Sequence, residues 1–189
     1  MAGASLTRYL TAAIAAIVMT CAAAQVSLGA TSDDEAGNQV APSIKTGPSG
    51  MPLPRFVSLK SDRINVRAGP GQDHKIAWIF AKAGLPVEIV AEYDNWRRIR
   101  DSEGAEGWVF HSLLSGRRTA LVAPWSDKKT IDLLRDRDED DRVTARLEPG
   151  VLVTLEACDG EWCQITVSKV SGWLPQDMLW GVYPKEAVN

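Results

Sequence analysis

The feature that most limits what this chain can fold into is an internal repeat. Ala83-Gly84-Leu85-Pro86-Val87-Glu88-Ile89-Val90 is echoed by Pro149-Gly150-Val151-Leu152-Val153-Thr154-Leu155-Glu156. Trp96-Arg97-Arg98-Ile99 is echoed by Trp162-Cys163-Gln164-Ile165, and Gly107-Trp108-Val109 by Gly172-Trp173-Leu174. Leu113-Leu114 has its counterpart in Met178-Leu179. The offset is 66 at Gly84/Gly150 and at Trp96/Trp162, and 65 at Trp108/Trp173. One residue of slip before Gly172 accounts for the change. Four matches in one order imply two copies of one supersecondary unit, each of about 60 residues.

Each unit reads as short strands separated by turn signals. In the first, strands are expected near 56–60, 63–67, 76–80, 86–92, 96–101 and 106–110. Val87, Ile89 and Ala91 alternate with Glu88 and Glu92, the period of a half-buried strand. Asp94-Asn95 and Asp159-Gly160 are turn dipeptides between β runs, so 86–92 and 96–101 pair as a hairpin. After residue 55 no stretch of ten or more residues keeps helical periodicity. Residues 127–142 are charged enough for a helix, but Ile131, Leu133 and Leu134 suit a strand equally well. Many short strands at regular spacing predict an all-β chain of small barrels or sandwiches.

The first unit resembles the bacterial SH3-like domain. The resemblance rests on Ile64-Asn65-Val66-Arg67-Ala68-Gly69-Pro70-Gly71, an apolar strand, Gly84, a hydrophobic strand, Trp96 and Gly107-Trp108-Val109. It covers residues 55–116 well. The second unit keeps Gly150, Trp162, Gly172 and Trp173, but Leu133-Leu134-Arg135-Asp136 replaces the Gly-Pro-Gly turn. The resemblance implies two tandem SH3-like β-barrels, the second divergent, and a binding or targeting role in the cell envelope.

The amino terminus sets the expected compartment. Arg8 precedes an apolar run of about 11 residues, Tyr9 to Met19, too short for the roughly 20 of a spanning helix. Small residues follow, ending Cys21-Ala22-Ala23-Ala24-Gln25. This is the pattern of a secretory signal peptide over 1–24, cleaved near Ala24. A periplasmic or secreted protein is expected. Residues 25–54 carry Pro at 42, 48, 52 and 54 with few large apolar side chains, and read as a flexible, disordered linker. The expected domains are then 55–118 and 119–184, with 185–189 as a tail. No later apolar run reaches 18 residues, so no stable membrane span is expected after cleavage. Without Arg8 the chain holds 20 basic and 24 acidic residues, which argues against nucleic acid as a partner.

Cys158 and Cys163 form an even pair in an exported chain and read as a disulfide. Side-chain alternation puts both on one face of the hairpin. Glu92 and Arg97 hold the matching positions in the first unit, where an opposite-charge pair serves the same end. The spacing is not the C-x-x-C of a thioredoxin site.

The repeat also sorts the aromatic residues. Trp96/Trp162 and Trp108/Trp173 recur, as architectural residues do. Counting back from Gly84/Gly150, Trp78 and Phe80 align with Thr144 and Arg146, while Ala77, Ile79 and Ala81 align with Val143, Ala145 and Leu147. Trp78 and Phe80 are therefore expected to point outward, as an aromatic patch for a ligand or for the other unit.

Catalysis, metals and cofactors find little support. His74 and His111 are the only histidines, each in an expected loop, and a triad needs one beside a nucleophile and an orienting acid. Neither shows the spacing of a zinc site. A calcium loop starting at Asp136 needs Gly at its sixth position and Glu at its twelfth, where Asp141 and Leu147 stand. Arg135, Arg137 and Arg142 interleave with those acids, as in a self-neutralising loop. Residues 55–118 carry 11 basic and 8 acidic groups; 119–189 carry 8 and 13. Opposite signs steer the units together or give each its own partner.

The reading that follows is a non-catalytic binding or adaptor protein of the envelope, recognising a cell-wall peptide or peptidoglycan. The candidate ligand-binding residues are Asn65, Arg67, His74, Trp78, Phe80, Trp96 and Trp108. Arg63, Arg67, Arg97, Arg98 and Arg100 give the first unit a basic face suited to carboxylates. The alternatives are a scaffold whose barrels pack together and bind an envelope protein, and an accessory to a wall hydrolase.

Overall fold

A computed structural model describes residues 45–137 and 142–189. The expected signal peptide, the linker up to residue 44 and the acidic run 138–141 lie outside the described residues. Two curled antiparallel sheets with the same strand order make up most of the described part.

The first sheet holds β3 (Arg55–Leu59), β4 (Ile64–Arg67), β5 (Ile76–Phe80), β6 (Pro86–Tyr93), β7 (Trp96–Arg100), β8 (Glu106–Phe110) and β9 (Leu114–Ser115). It is preceded by a small ribbon of β1 (Lys45–Thr46) and β2 (Pro52–Leu53). The second holds β10 (Thr119–Val122), β11 (Ile131–Leu134), β12 (Val143–Leu147), β13 (Leu152–Asp159), β14 (Trp162–Val167), β15 (Val170–Pro175) and β16 (Leu179–Trp180). Strand order is β5-β4-β8-β7-β6-β3-β9 in one and β12-β11-β15-β14-β13-β10-β16 in the other. The repeat in sequence is thus a repeat in topology: two SH3-like barrels. Among the described residues no helix is long and apolar enough to cross a membrane.

Period-two alternation builds both cores. In β4, Ile64 and Val66 are fully buried while Asn65 is exposed. With Val87, Ile89, Ile99 and Val109 they form the first core. Ile131, Leu133, Leu155, Ile165 and Leu174 lead the second. A Cβ on Gly107 would strike Val66 and the Trp78 ring, and one on Gly172 would lie 2.5 Å from the Leu134 carbonyl oxygen. The Gly-Trp dipeptide recurs because β8 and β15 cross their neighbours too closely for any side chain at that position. Gly84 and Gly150 adopt φ of 79° and 80°, a left-handed turn that glycine enters without steric cost.

One expectation is overturned. Trp78 and Phe80 face inward and pack on the first core, with ring centroids 6.2 Å apart, while Ile79 is 44% exposed. Ile64 pairs with Phe80 and Ile131 with Leu147, so the true offset across this strand is 67. The first unit carries one more residue, Ala81-Lys82-Ala83 against Glu148-Pro149, before its turn glycine. A slip of one residue moves every side chain of a strand to the other face. Trp78 and Phe80 therefore make neither an external patch nor the contact with the second barrel.

That contact uses other residues. Phe56 meets Trp180 edge-on at 5.2 Å and Tyr183 at 4.7 Å. The Tyr183 hydroxyl donates to Glu88 Oε1 at 2.8 Å, and burial followed by this carboxylate raises the phenol pKa well above its ordinary value. The Thr119 hydroxyl donates to the Gly84 carbonyl at 2.7 Å and lies 2.7 Å from the Ser58 hydroxyl. Between the barrels, Arg117 donates to Thr154 Oγ1 and Arg118 pairs with Glu186 at 2.6 Å.

Both ends of the described chain are built in. Residues 45–54, read from sequence as linker, form the β1–β2 ribbon, and Leu53 packs on the first core. Ser49 donates to Glu92 from its backbone N–H at 2.8 Å and its hydroxyl at 2.7 Å. The linker reading missed this because the partner carboxylate lies 43 residues away. At the other end, β17 (Ala187–Val188) pairs with β13, and Val188 enters the second core.

Candidate functional site

The outer face of the first barrel collects most of the candidate residues. Arg67 on β4 pairs with Trp108 on β8, and Trp108 pairs with Arg98 on β7. Residues directly opposite share a face, so these three form a row across three strands. Arg67 also pairs with Ile76, which extends the row with an exposed aliphatic side chain, 44% accessible. Two positions along, Tyr93 pairs with Trp96 and Trp96 with Phe110. The Trp96 and Phe110 rings meet edge-on at 5.6 Å, and the His111 ring lies 5.0 Å from Phe110.

The Arg67 guanidinium donates from Nη1 to the carbonyls of Gln72 at 2.9 Å and His74 at 2.6 Å. It ties the Gly-Pro-Gly loop to the sheet. The His74 ring covers Gly69 so closely that a Cβ there would meet it at 2.6 Å. His74 is thus a packing residue of the loop that Arg67 holds. Asn65 is exposed on β4, opposite Ile79. Arg98 pairs with Glu106 at 2.7 Å, and Arg100 reaches Glu106 at 3.0 Å and Glu88 at 3.6 Å.

Asn65, Arg67, Trp96 and Trp108 therefore lie on one sheet surface, with His74 in the adjoining loop. Trp78 and Phe80 lie beneath it. Trp96 and Trp108, read as architectural, stand on the outer face, outside the residues that build the core. Arg98, expected on a basic face, joins them beside Trp108, and Ile76, Tyr93 and Phe110 join them unforeseen. Alternation in Trp96-Arg97-Arg98 and Trp108-Val109-Phe110 carries that signal, since Val109 is fully buried and its neighbours must face out.

Arg97 is not part of a basic face. Its Nε lies 3.1 Å from Glu92 Oε1, and Arg55 Nη2 lies 2.6 Å from the same oxygen. Burial opposes the charge on Glu92, but the Ser49 hydroxyl and amide, with Arg55, outweigh it and lower the pKa to about 2. At the matching place in the second barrel Cys158 and Cys163 are directly paired and joined by a disulfide, with Cα atoms 4.1 Å apart.

The second barrel repeats the row with different chemistry. Leu134 and Gln164 flank Trp173, and the Arg137 guanidinium lies 4.7 Å from the Trp173 ring centroid. There the ring is occupied by the chain's own cation. Among the described residues, no three His, Cys, Asp or Glu side chains are grouped to hold a metal ion.

The sequence matches the family model described as bacterial SH3 domain twice, over residues 60–116 and 128–181. No curated protein matches it. Among solved structures, NlpC2 from Trichomonas vaginalis is similar at 12% identity, covering 67% of this chain and 48% of that one, with a TM-score of 0.31. NlpC1 from the same organism matches at 12% identity, 71% and 48% coverage and a TM-score of 0.31. An NlpC/P60 family protein from Bacillus cereus ATCC 10987 matches at 12% identity, 66% and 55% coverage and a TM-score of 0.29. The chain spans about half the length of these structures.

Proposed function

We propose, from the premise that the chain belongs to the bacterial SH3 domain family, that it is a non-catalytic binding or adaptor protein of the cell envelope. Its ligand is a cell-wall peptide or peptidoglycan, held on the outer face of the first barrel. The observation that carries this reading is the Arg67–Trp108–Arg98 row. A half-buried indole with arginines at the paired positions on both neighbouring strands suits a peptide that offers a carboxylate beside an apolar surface. A disulfide suits an oxidising compartment, in keeping with a periplasmic or secreted protein. Retention on purified sacculi tests the reading. Trp108→Ala and Arg67→Ala should each lose most of the retained protein. Retention equal to wild type in both would remove this face from the site.

The barrel contact favours a second reading, a scaffold for an envelope protein. Phe56, Trp180 and Tyr183 pack between the barrels and hold them as one body. On this reading fragment 55–118, with Phe56 uncovered, aggregates. A soluble fragment that unfolds cooperatively would count against it.

A further inference from the structure

We propose a second binding site, on the second barrel, for a cationic peptide segment that enters a pocket between Trp125 and Trp162. It is separate from the outer face of the first barrel and does not depend on that face binding cell wall.

The pocket measures about 570 Å³, within the range of small-ligand sites. Pro175 and Pro184 line it together with the two indoles. Trp125 is 57% exposed, the most costly side chain to leave in water without a partner. Its position is fixed rather than trailing. Ala123 is fully buried at φ 29°, its N–H donates to the Met178 carbonyl at 2.7 Å, and its carbonyl accepts from the Ser126 N–H at 2.9 Å. A non-glycine residue in the left-handed region costs free energy, and this one stands at the buried turn two residues before Trp125.

The chemistry of the lining selects charge. Glu161 and Asp177 both line the pocket, against a single cation, Lys185. The barrel around them is acidic, with 8 basic and 13 acidic residues over 119–189. Gln176, 4% exposed, is also part of the lining. Its Nε2 donates to the Tyr183 carbonyl at 2.6 Å and the Glu186 carbonyl at 3.1 Å, which fixes the amide orientation. Its Oε1 has no partner among the described residues and is itself closed to solvent. An ammonium or guanidinium side chain suits a lining of two indoles and two carboxylates. Trp125, Pro184 and Lys185 lie outside the segments that match the family model, so the pocket is an addition to the repeated unit.

Indole N–H resonances of the full chain, titrated with acetylated penta-lysine amide at low salt, test the proposal. Penta-glutamate and penta-glycine serve as controls. Trp125 and Trp162 should shift with penta-lysine alone. Trp125→Ala, and separately Glu161→Gln with Asp177→Asn, should each weaken the affinity by about tenfold or more while amide spectra remain folded. Arg67→Ala should titrate like wild type whatever its behaviour on sacculi. Unmoved Trp125 and Trp162 resonances at millimolar peptide would overturn the proposal. So would shifts confined to residues 136–141, or full affinity in the carboxylate variant.

Discussion

Arg97 Nε lies 3.1 Å from Glu92 Oε1 across the β6–β7 hairpin, at the cross-strand position that Cys158 and Cys163 bridge covalently in the second barrel. One topology closes the same hairpin by charge in one copy and by sulfur in the other. The covalent version gives a simple prediction. Replacing both cysteines by alanine should destabilise the second barrel by about 1–3 kcal/mol in urea unfolding, since the closed loop is short. An unchanged midpoint would show that the hairpin holds without it.

The ionic version is sensitive to acid. Glu92, with a side chain 1% exposed, has its pKa lowered from 4.5 to about 2. A lowered folded-state pKa stabilises fully above the unfolded value and is lost as pH falls through the folded one. The wild type should therefore lose stability between pH 4.5 and 2. Glu92→Gln should flatten that part of the profile and cost on the order of 2–3 kcal/mol at pH 7. Urea unfolding at several pH values reads both; matching profiles for variant and wild type would contradict the role given to Glu92.

Inward placement of Trp78 separates it from Trp108. Trp78→Ala should destabilise the first barrel by roughly 2–4 kcal/mol through the cavity it leaves. Trp108→Ala, on the outer face, should cost less, about 1 kcal/mol. Denaturation of the two variants side by side decides: a neutral Trp78→Ala would return that ring to the surface.

The contact between barrels is predicted to couple their unfolding. Tyr183→Phe leaves the buried Glu88 carboxylate, among the described residues, with Arg100 at 3.6 Å alone, and should cost about 1–3 kcal/mol. Phe56→Ala should split one calorimetric transition into two. A single transition in that variant would mean the interface is held elsewhere.

Strand positions and the family were legible because they depend on local signals: alternation, turn dipeptides, and glycines that cannot be replaced. Expected strands at 76–80 and 106–110 coincide with β5 and β8. The face of β5 was not legible, because one extra residue before Gly84 is invisible to a constant-offset alignment and inverts the strand. The ribbon at 45–53 escaped for a different reason. It is held by the bonds of Ser49 to Glu92, far along the chain, and by Leu53 on the first core, and its Gly, Ser and Pro composition signals neither. The barrel contact was equally hidden, since Phe56, Trp180 and Tyr183 carry no repeat signal. Of the candidate site, Asn65, Arg67, Trp96 and Trp108 came from motif residues. Arg98 needed the register of β7 against β8.

The most direct test of the binding account is a titration of the protein with soluble peptidoglycan fragments, followed by backbone amide and indole resonances. The account predicts localised shifts at Trp108, Arg67 and the 67–74 loop, with Trp78 unmoved. No shift on this face at millimolar fragment would contradict it and move the search to protein partners.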